Sequence, residues 1–272
     1  MNRITMRSVA VFPVAVFAAA LVSTTSARAA NILMSTTPAW AASIPVASGS
    51  VTAITHSSPP KASYDNFIAE RTYIPGMFKD VDENAWYGSK KEKSVAIAYE
   101  YNLMSGTSPT TFNPTGNISI AEVVTVATRV HSFYTTGHQV EFTPTPGAPW
   151  YQGNVDYAIE NGIIGPNVFQ DFKRAATRAE MAYVFAHTLP DPELAYTYRY
   201  QLKLPPDVDE STLYYDEIMM LYRFGIVGGS DSAGTFHPGS SIMRAEAAAI
   251  LARIVVPGLR LGDDFYYPGF TS

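Results

Sequence analysis

"TRAE" at residues 177–180 has the sequence of a helix start, and related stretches follow the same pattern: "MRAE" at 243–246 and "SIAE" at 119–122. In 177–180 the threonine can cap the helix while the glutamate reaches back to the amide of the capping residue, which is a capping box. Arg178 does not belong to that pattern, because a cation in the first turn opposes the helix dipole by about 0.3–1 kcal/mol. Related copies with an unexplained arginine therefore indicate a repeat that carries a site.

Other landmarks recur in the same order at a spacing near 64 residues. Aromatic pairs stand at 86–87, 150–151 and 214–215, and the acidic stretch "DVDE" occurs at 80–83 and 207–210. Each copy continues with an apolar pair before glycine, a phenylalanine in a turn-rich loop, and the glutamate motif. The residues seven positions after the motif glutamates are Arg129, His187 and Arg253. Chance similarity would not keep this order, so the sequence predicts three tandem repeats.

Two helices are predicted in each repeat. The first carries apolar residues at helical spacing, for example Ile218, Leu221 and Tyr222 in the third copy, and a glycine-containing loop ends it. The second begins at the glutamate motif and is apolar on more than one side, as in "EMAYVFAHTL" at 180–189. A single repeat cannot cover such a helix, whereas three repeats packed about a common axis can. We therefore predict an all-α fold of three helix-loop-helix repeats around a central helical bundle.

The chain opens with the pattern of a secretory signal peptide. Arg3 and Arg7 precede an apolar run over 9–22, and "ARA" at 27–29 offers a small-residue cleavage site. The apolar run is shorter than the roughly 20 residues of a spanning helix, so a membrane anchor is the weaker alternative. Residues 30–75 are rich in Ser, Thr, Ala and Pro without a helical or strand period, which predicts a flexible linker.

Charge and composition exclude several classes of partner and chemistry. The formal net charge is −5, and it becomes −8 without the first 29 residues, which hold three of the 19 basic residues and none of the 24 acidic ones. An acidic protein without a basic face does not suit nucleic acid, so we expect no such partner. The absence of cysteine excludes disulfides, thiolate zinc sites and cysteine nucleophiles. No integral membrane segment is expected after signal cleavage.

Two interpretations of Arg178 and its counterpart Arg244 are open from the residues alone. Beside free helix amides and a glycine loop, a guanidinium makes a corner that can bind a carboxylate or a phosphate. Alternatively, each arginine pairs with an acid of a neighbouring repeat, such as Asp80 or Asp207, and only ties the repeats together.

The combination of these motifs resembles the S-layer homology family. It is carried by "FKDVDENAW" at 78–86, "ATRAE" at 176–180 and "GTFHPGSSIMRAE" at 234–246, and it covers about residues 76–260. The resemblance implies a pseudo-threefold spindle whose grooves bind secondary cell-wall polymers bearing pyruvylated sugars, which tethers exported proteins noncovalently to the wall. It also implies ligand contact for the motif arginines and the glycine loops.

Tryptophans at the repeat junctions add to the candidate site. A tryptophan there can stack on a sugar ring, although a core position is the more common role. The candidate ligand-binding residues are therefore Arg178, Arg244, Gly106, Gly165, Gly228, Trp86 and Trp150.

The predicted organisation follows from the repeat boundaries. The segments are a signal peptide (1–29), a linker (30–75), S-layer homology repeats (76–137, 138–200 and 201–262) and a C-terminal tail (263–272). The expected location is outside the cell, at the cell wall or cell surface. The expected partner is a secondary cell-wall polymer or a peptidoglycan-linked glycan, with surface-layer proteins as further candidates, and no cofactor is expected.

The three copies are unequal. Ile120 takes the place of the first motif arginine, Pro144 falls where the second copy should have an aspartate, and the loop "GPNVF" at 165–169 is shorter than its partners. The first copy is about one turn longer between its aromatic pair and its glycine loop. At least one groove is therefore expected to be inactive.

A secreted enzyme acting on cell-wall polysaccharide is the alternative function. Asp80 with Asp82, or Asp263 with Asp264, are acid pairs of the kind that glycoside hydrolysis uses. Signatures of serine hydrolases, zinc proteases, P-loop proteins and dinucleotide-binding proteins are absent. The five histidines do not group with acids at metal-ligand spacing. The sequence therefore favours a binding protein over an enzyme, without a metal site.

Overall fold

The computed structural model describes residues 61–143, 145–190 and 204–261. The predicted signal peptide, the predicted linker up to residue 60 and the predicted tail at 263–272 lie outside the described residues. Pro144 and the junction between the second and third repeats also lie outside them.

Regular structure in the described residues consists of six α-helices and two short 3₁₀ turns, without an extended β-strand. The all-α fold class is therefore confirmed. Each repeat contributes a short outer helix followed by an inner helix. The outer helices are α1 (Ser94–Glu100), α3 (Gln152–Glu160) and α5 (Tyr215–Arg223), and the inner helices are α2 (Ile120–Thr136), α4 (Arg178–Ala186) and α6 (Arg244–Val255). None of the helices in this part of the chain has the length and apolar character needed to cross a membrane.

The inner helices lie in the core. Every residue of α6 is buried, and so is every residue of α4 except Tyr183. A helix that is apolar on more than one side has to be surrounded by protein, and this burial agrees with the sequence pattern.

Each outer helix packs against the inner helix of the preceding repeat, in cyclic order. Helix α3 lies on α2, α5 lies on α4, and α1 closes the circle by lying on α6. In α5 the buried face consists of Ile218, Met219, Leu221 and Tyr222. Because a neighbouring repeat covers each inner helix, a single repeat is not expected to fold alone.

A ring of three backbone hydrogen bonds joins the repeats just before their inner helices begin. The N–H of Ile118 donates to the carbonyl of Ile242 (3.1 Å), that of Ile242 donates to Ala176 (3.0 Å), and that of Ala176 donates to Ile118 (2.9 Å). All three residues are fully buried. A closed ring relates the repeats cyclically, as a pseudo-threefold arrangement requires, and the overall spindle shape stays a prediction.

Residues 61–75 belong to the folded unit, which corrects the C-terminal part of the predicted linker. Tyr64–Asn66 forms a 3₁₀ turn, and the side-chain amide of Asn66 donates to the Tyr134 carbonyl near the end of α2 (2.7 Å). Phe67 and Tyr73 are buried in the core. The composition of the segment is linker-like on average, but these two large side chains bury enough apolar area to hold it in place.

Candidate functional site

The glutamate of each motif caps its own helix. In each repeat the N–H of the capping residue donates to that glutamate, as in a capping box. The pairs are Ser119 with Glu122 (2.9 Å), Thr177 with Glu180 (2.9 Å) and Met243 with Glu246 (2.8 Å). Only Ser119 and Thr177 also accept, through their hydroxyl oxygens, a hydrogen bond from the backbone N–H of that glutamate. The local part of the motif therefore serves to begin the helix.

Backbone amides at the start of these helices are already bonded within the protein, which corrects the prediction of a corner with free amides. The N–H of Arg178 donates to the Ser240 carbonyl at 2.9 Å, and the N–H of Arg244 donates to the Gly116 carbonyl at 2.8 Å. The following amide of each helix donates to another carbonyl of the same loop. Each helix start is thus docked on the loop of the next repeat.

The guanidinium groups of Arg178 and Arg244 are buried and paired with the capping glutamate of the next repeat. Arg178 Nη1 lies 2.5 Å from Glu246 Oε1, and Arg244 Nη1 lies 2.9 Å from Glu122 Oε1. Each arginine is only 6% exposed. The arginines therefore do tie the repeats together, and direct ligand contact by them stays a prediction.

Asp80 and Asp207 hold the loops on which the arginines rest and are not the partners of the arginines. The carboxylate of Asp80 accepts the N–H groups of Phe112 and Asn113 at 2.8 and 2.7 Å. The Phe112 carbonyl in turn accepts Arg244 Nε at 2.9 Å, and the guanidinium lies 5.1 Å from the centre of the Phe112 ring. The same arrangement recurs around Asp207.

The corner that contains Ile120 is neutralised differently. Ile120 is fully buried and supplies no charge, and Arg174 donates to Glu180 from both terminal nitrogens at 2.8 and 2.5 Å. Burial alone would raise the pKa of Glu180, but the bonds from Arg174 and Thr177 outweigh it and hold the pKa below its usual value. Glu180 therefore stays ionised without a motif arginine.

Motif arginines, glycine loops and tryptophans come together in two grooves. Each groove combines a tryptophan of one repeat, the motif arginine of the next, and the glycine loop and inner helix of the third. Groove A is lined by Trp86, Arg178, Gly228, Ser230, Glu246 and Arg253. Groove B is lined by Trp150, Arg244, Gly106, Ser105, Glu122 and Arg129. The structure thus brings together all the candidate ligand-binding residues except Gly165.

Gly165 lies at the third equivalent position, where aromatic side chains fill the space. Tyr183 stands at the helix position that Thr125 holds in groove B and Ala249 holds in groove A, and its hydroxyl accepts the Gly165 N–H at 2.9 Å. Tyr214 stacks on Tyr183 with ring centroids 4.5 Å apart. The glycine loop of the second repeat is therefore closed by a tyrosine of its own repeat.

Grooves A and B differ in size and in the exposure of their tryptophans. Groove B has a cavity volume of about 190 Å³, whereas groove A has about 20 Å³, which is room for a single water molecule. Trp150 is 66% exposed, while Trp86 is partly buried against Tyr87. A core role therefore does not apply to Trp150, whose ring is available to a ligand.

Groove B also contains an arginine that forms no ion pair within the described part of the chain. Arg129 donates to the Leu103 carbonyl at 2.7 Å, its Nε is buried without a hydrogen-bond partner, and no carboxylate of the described residues pairs with it. Burial lowers the pKa of Arg129, the positive charge of Arg71 lowers it further, and Glu141 acts in the opposite direction. Arg71 itself donates to Ser105 at the edge of the groove (3.1 Å).

Sequence reasoning missed part of this charge pattern. Arg129 was visible as a basic residue after the motif glutamate, but nothing in the sequence showed that it lacks a partner. Arg71 lies in the segment predicted as a linker, and Glu92, which pairs with Arg253 at 3.0 Å, lies in the extra residues of the first copy. A repeat pattern cannot mark residues that occur in one copy alone.

Comparison with known proteins agrees with this architecture. The family model of the S-layer homology domain matches residues 78–124 and 206–248, within the first and third repeats. A protein described as an endoglucanase, from Bacillus sp. (strain KSM-635), is 24% identical over 206 residues. This similarity covers 72% of the present chain and 20% of the relative, so the chain spans about a fifth of the length of the curated relative it matches.

The S-layer homology domain is an anchoring domain, and its presence indicates association with the cell wall at the cell surface. The predicted motifs at both matched regions are in place, with the "DVDE" acid holding the loop and the motif glutamate capping the helix. Residues 78–124 and 206–248 are therefore the parts of the chain that match the S-layer homology domain family.

Proposed function

We propose that this protein attaches to the cell wall by binding an anionic wall glycan in groove B. The observation that carries the proposal concerns Arg129: its guanidinium lies on the wall of an open cavity and forms no ion pair with any described carboxylate. A partly desolvated cation without a counter-charge is destabilising, and an anionic ligand relieves that cost on binding.

Two arginines that line groove B are bound to backbone carbonyls of the same loop. Arg244 Nη2 donates to the Ser105 carbonyl at 2.9 Å, and Arg129 Nη1 donates to the Leu103 carbonyl at 2.7 Å. Both arginines are therefore anchored on one short stretch of the glycine loop. Arg244 already has Glu122 as a counter-charge, so Arg129 provides the net attraction for an anion.

The neighbouring groups favour a carboxylate on a sugar. A guanidinium can hold a carboxylate through two parallel hydrogen bonds, and an exposed indole ring stacks on the apolar face of a sugar. Trp150 and Arg129 both line the groove, which fits a glycan with a carboxyl substituent on a sugar ring. A pyruvylated secondary cell-wall polymer, as the resemblance implies, has this chemistry.

A sedimentation assay with purified cell walls tests the proposal. Arg129→Gln should weaken wall binding about tenfold or more, the usual value of one charge-assisted hydrogen bond. Arg223→Gln, an exposed arginine at the end of α5, is the matched control and should bind like the wild type. Walls treated with mild acid, which hydrolyses pyruvyl ketals, should bind neither form well. Unchanged binding of a folded Arg129→Gln variant would contradict the proposal.

Hydrolysis of wall polysaccharide is the competing function, and the description of the relative as an endoglucanase is what favours it. The acids that the sequence offers for it are engaged in turns: Asp80 accepts two backbone N–H groups, and Asp82 accepts the N–H of Asn84 at 2.9 Å. Asp263 and Asp264 lie outside the described residues. Release of reducing sugar from walls by the purified protein would establish hydrolysis, whereas sedimentation without release supports anchoring.

A further inference from the structure

Arg129 and Arg253 occupy equivalent positions but differ in whether a carboxylate of the described residues forms an ion pair with them. Arg129 donates to the carbonyl of Leu103, and Arg253 donates to that of Ile226, the equivalent residue before the other glycine loop. Arg253 also pairs with Glu92, with Nη2 and Oε2 3.0 Å apart, and its side chain is only 4% exposed. Within the described residues, this arginine is therefore ion-paired in groove A and not ion-paired in groove B.

Glu92 reaches Arg253, which lines groove A, because of the extra residues in the first repeat. These residues form turns ahead of α1, and the N–H of Glu92 donates to the carbonyl of Trp86 at 3.2 Å. The acid is thereby fixed beside the tryptophan that lines groove A. In the second repeat, Trp150 is followed by Tyr151 and then directly by α3, so the segment that would carry such an acid is not there.

We propose that Glu92 is an internal ligand, whose carboxylate takes in groove A the place that the anionic group of the glycan takes in groove B. Groove A is then a second carboxylate site that the protein itself keeps closed, and the described fold has one groove open to wall glycan. This inference rests on the function proposed above for groove B.

The charges and volumes of the two grooves agree with an internal ligand. In groove A, Arg178 and Arg253 are balanced by Glu246 and Glu92, and the cavity is small. In groove B, Glu122 is the only described carboxylate that forms an ion pair with the lining arginines Arg129 and Arg244, and the cavity is large. A tethered carboxylate has an effective concentration in the millimolar range or above, so a free ligand at lower concentration does not displace it.

Chemical rescue with a small carboxylate tests the internal ligand directly. Glu92→Ala should melt at a lower temperature than the wild type, because it removes the carboxylate that pairs with the buried guanidinium of Arg253. Sodium acetate should raise the melting temperature of Glu92→Ala by about 2–4 °C over sodium chloride at equal ionic strength, and should leave the wild type unchanged. Asp156→Ala, which removes an exposed acid of α3, is the control and should show no specific response to acetate.

Two outcomes would overturn the inference: Glu92→Ala melting like the wild type, or acetate acting no differently from chloride on it. If Glu92→Ala does not fold, Glu92→Gln keeps a hydrogen-bond acceptor and removes the charge, and the same comparison is made on it. Adding Arg253→Gln to the Glu92 variant should abolish the rescue. Rescue that survives this addition would place the acetate elsewhere and would also overturn the inference.

Calorimetric titration with a carboxylated wall-glycan fragment separates this inference from the proposed function. The wild type should bind one equivalent, and Glu92→Ala, which removes both the carboxylate and the bulk of the side chain, should bind two. Binding of one equivalent by both proteins would contradict the inference that Glu92 is an internal ligand, and the proposed function of groove B would still stand. If the wild type binds no fragment, the proposed function fails, and the acetate experiment still decides whether Glu92 occupies a carboxylate site.

Discussion

Arg244 in the third repeat is paired with Glu122 in the first, 122 positions away in sequence, with Nη1 and Oε1 2.9 Å apart. Arg178 makes the equivalent contact with Glu246, between the second and third repeats. Each pair joins the first turns of two inner helices, next to the ring of backbone hydrogen bonds. The motif arginines are therefore structural residues of the repeat junctions as well as lining residues of the grooves.

Removing the two arginines should affect stability to different degrees. Arg178→Ala should lower the free energy of unfolding by about 3–5 kcal/mol, because it leaves the well-buried Glu246 without a counter-charge. Arg244→Ala should cost less, about 1–2 kcal/mol, since the Glu122 side chain is 35% exposed and water can solvate it. Urea denaturation of both variants measures the difference. Losses that are equal and below about 0.5 kcal/mol would show that these pairs do not hold the repeats together.

The starts of the inner helices could be predicted from the sequence because capping is a local interaction. Helices α4 and α6 begin at Arg178 and Arg244, next to the capping residue and the glutamate that the motif supplies. The partners of the arginines could not be predicted, because each lies in another repeat and the choice among several acids depends on packing. The helix amides appeared free for the same reason, since the carbonyls that accept them also come from the next repeat.

Gly106 shows a further limit of reasoning from a motif. The resemblance implies that its backbone meets a ligand, yet a Cβ there would lie 2.4 Å from the Ser108 carbonyl oxygen and 2.6 Å from the Phe78 ring. The fold of the loop therefore requires glycine whether or not a ligand binds. Arg71 shows the converse, because a groove residue sits in a segment whose composition predicts no structure.

Arg174 should stabilise the second repeat in place of the missing motif arginine. Arg174→Ala should cost about 1–2 kcal/mol, because Glu180 loses two charge-assisted hydrogen bonds while part of its cap remains. Ile120→Arg alone should also be destabilising, since Ile120 is fully buried and Glu180 is already paired.

Combining these two substitutions tests whether position 120 faces Glu180 as Arg178 faces Glu246. The double variant should lose about 1 kcal/mol less free energy of unfolding than the two single variants lose together, because the introduced guanidinium replaces Arg174 as the partner of Glu180. Denaturation of the four proteins gives this coupling energy. Strictly additive losses would mean that a side chain at position 120 does not reach the carboxylate.

Ionisation of Glu180 should make stability depend on pH. Burial opposes the charge, but Arg174 and Thr177 hold the folded-state pKa below the ordinary value of 4.5. Ionised Glu180 therefore stabilises the fold above pH 4.5, and this contribution is lost as the pH falls through the lower, folded-state pKa. The stability difference between the wild type and Glu180→Gln should shrink as the pH is lowered through that range, in denaturation curves at constant ionic strength. Glu210→Gln, on the exposed surface, controls for net charge, and a difference that does not change with pH would contradict the assignment.

Substitution of each tryptophan in turn should show which of the two grooves binds the wall. Trp150 is 66% exposed, so Trp150→Ala should leave the free energy of unfolding within about 0.5 kcal/mol of the wild type. The same change should weaken wall binding about three- to tenfold, because an aromatic ring stacked on a ligand contributes about 0.5–1.5 kcal/mol. Trp86→Ala should do the opposite, with lower stability and unchanged wall binding, since Trp86 is partly buried against Tyr87 and lines the closed groove. Thermal melts and wall sedimentation of both variants provide the comparison, and a loss of binding confined to Trp86→Ala would move the site to groove A.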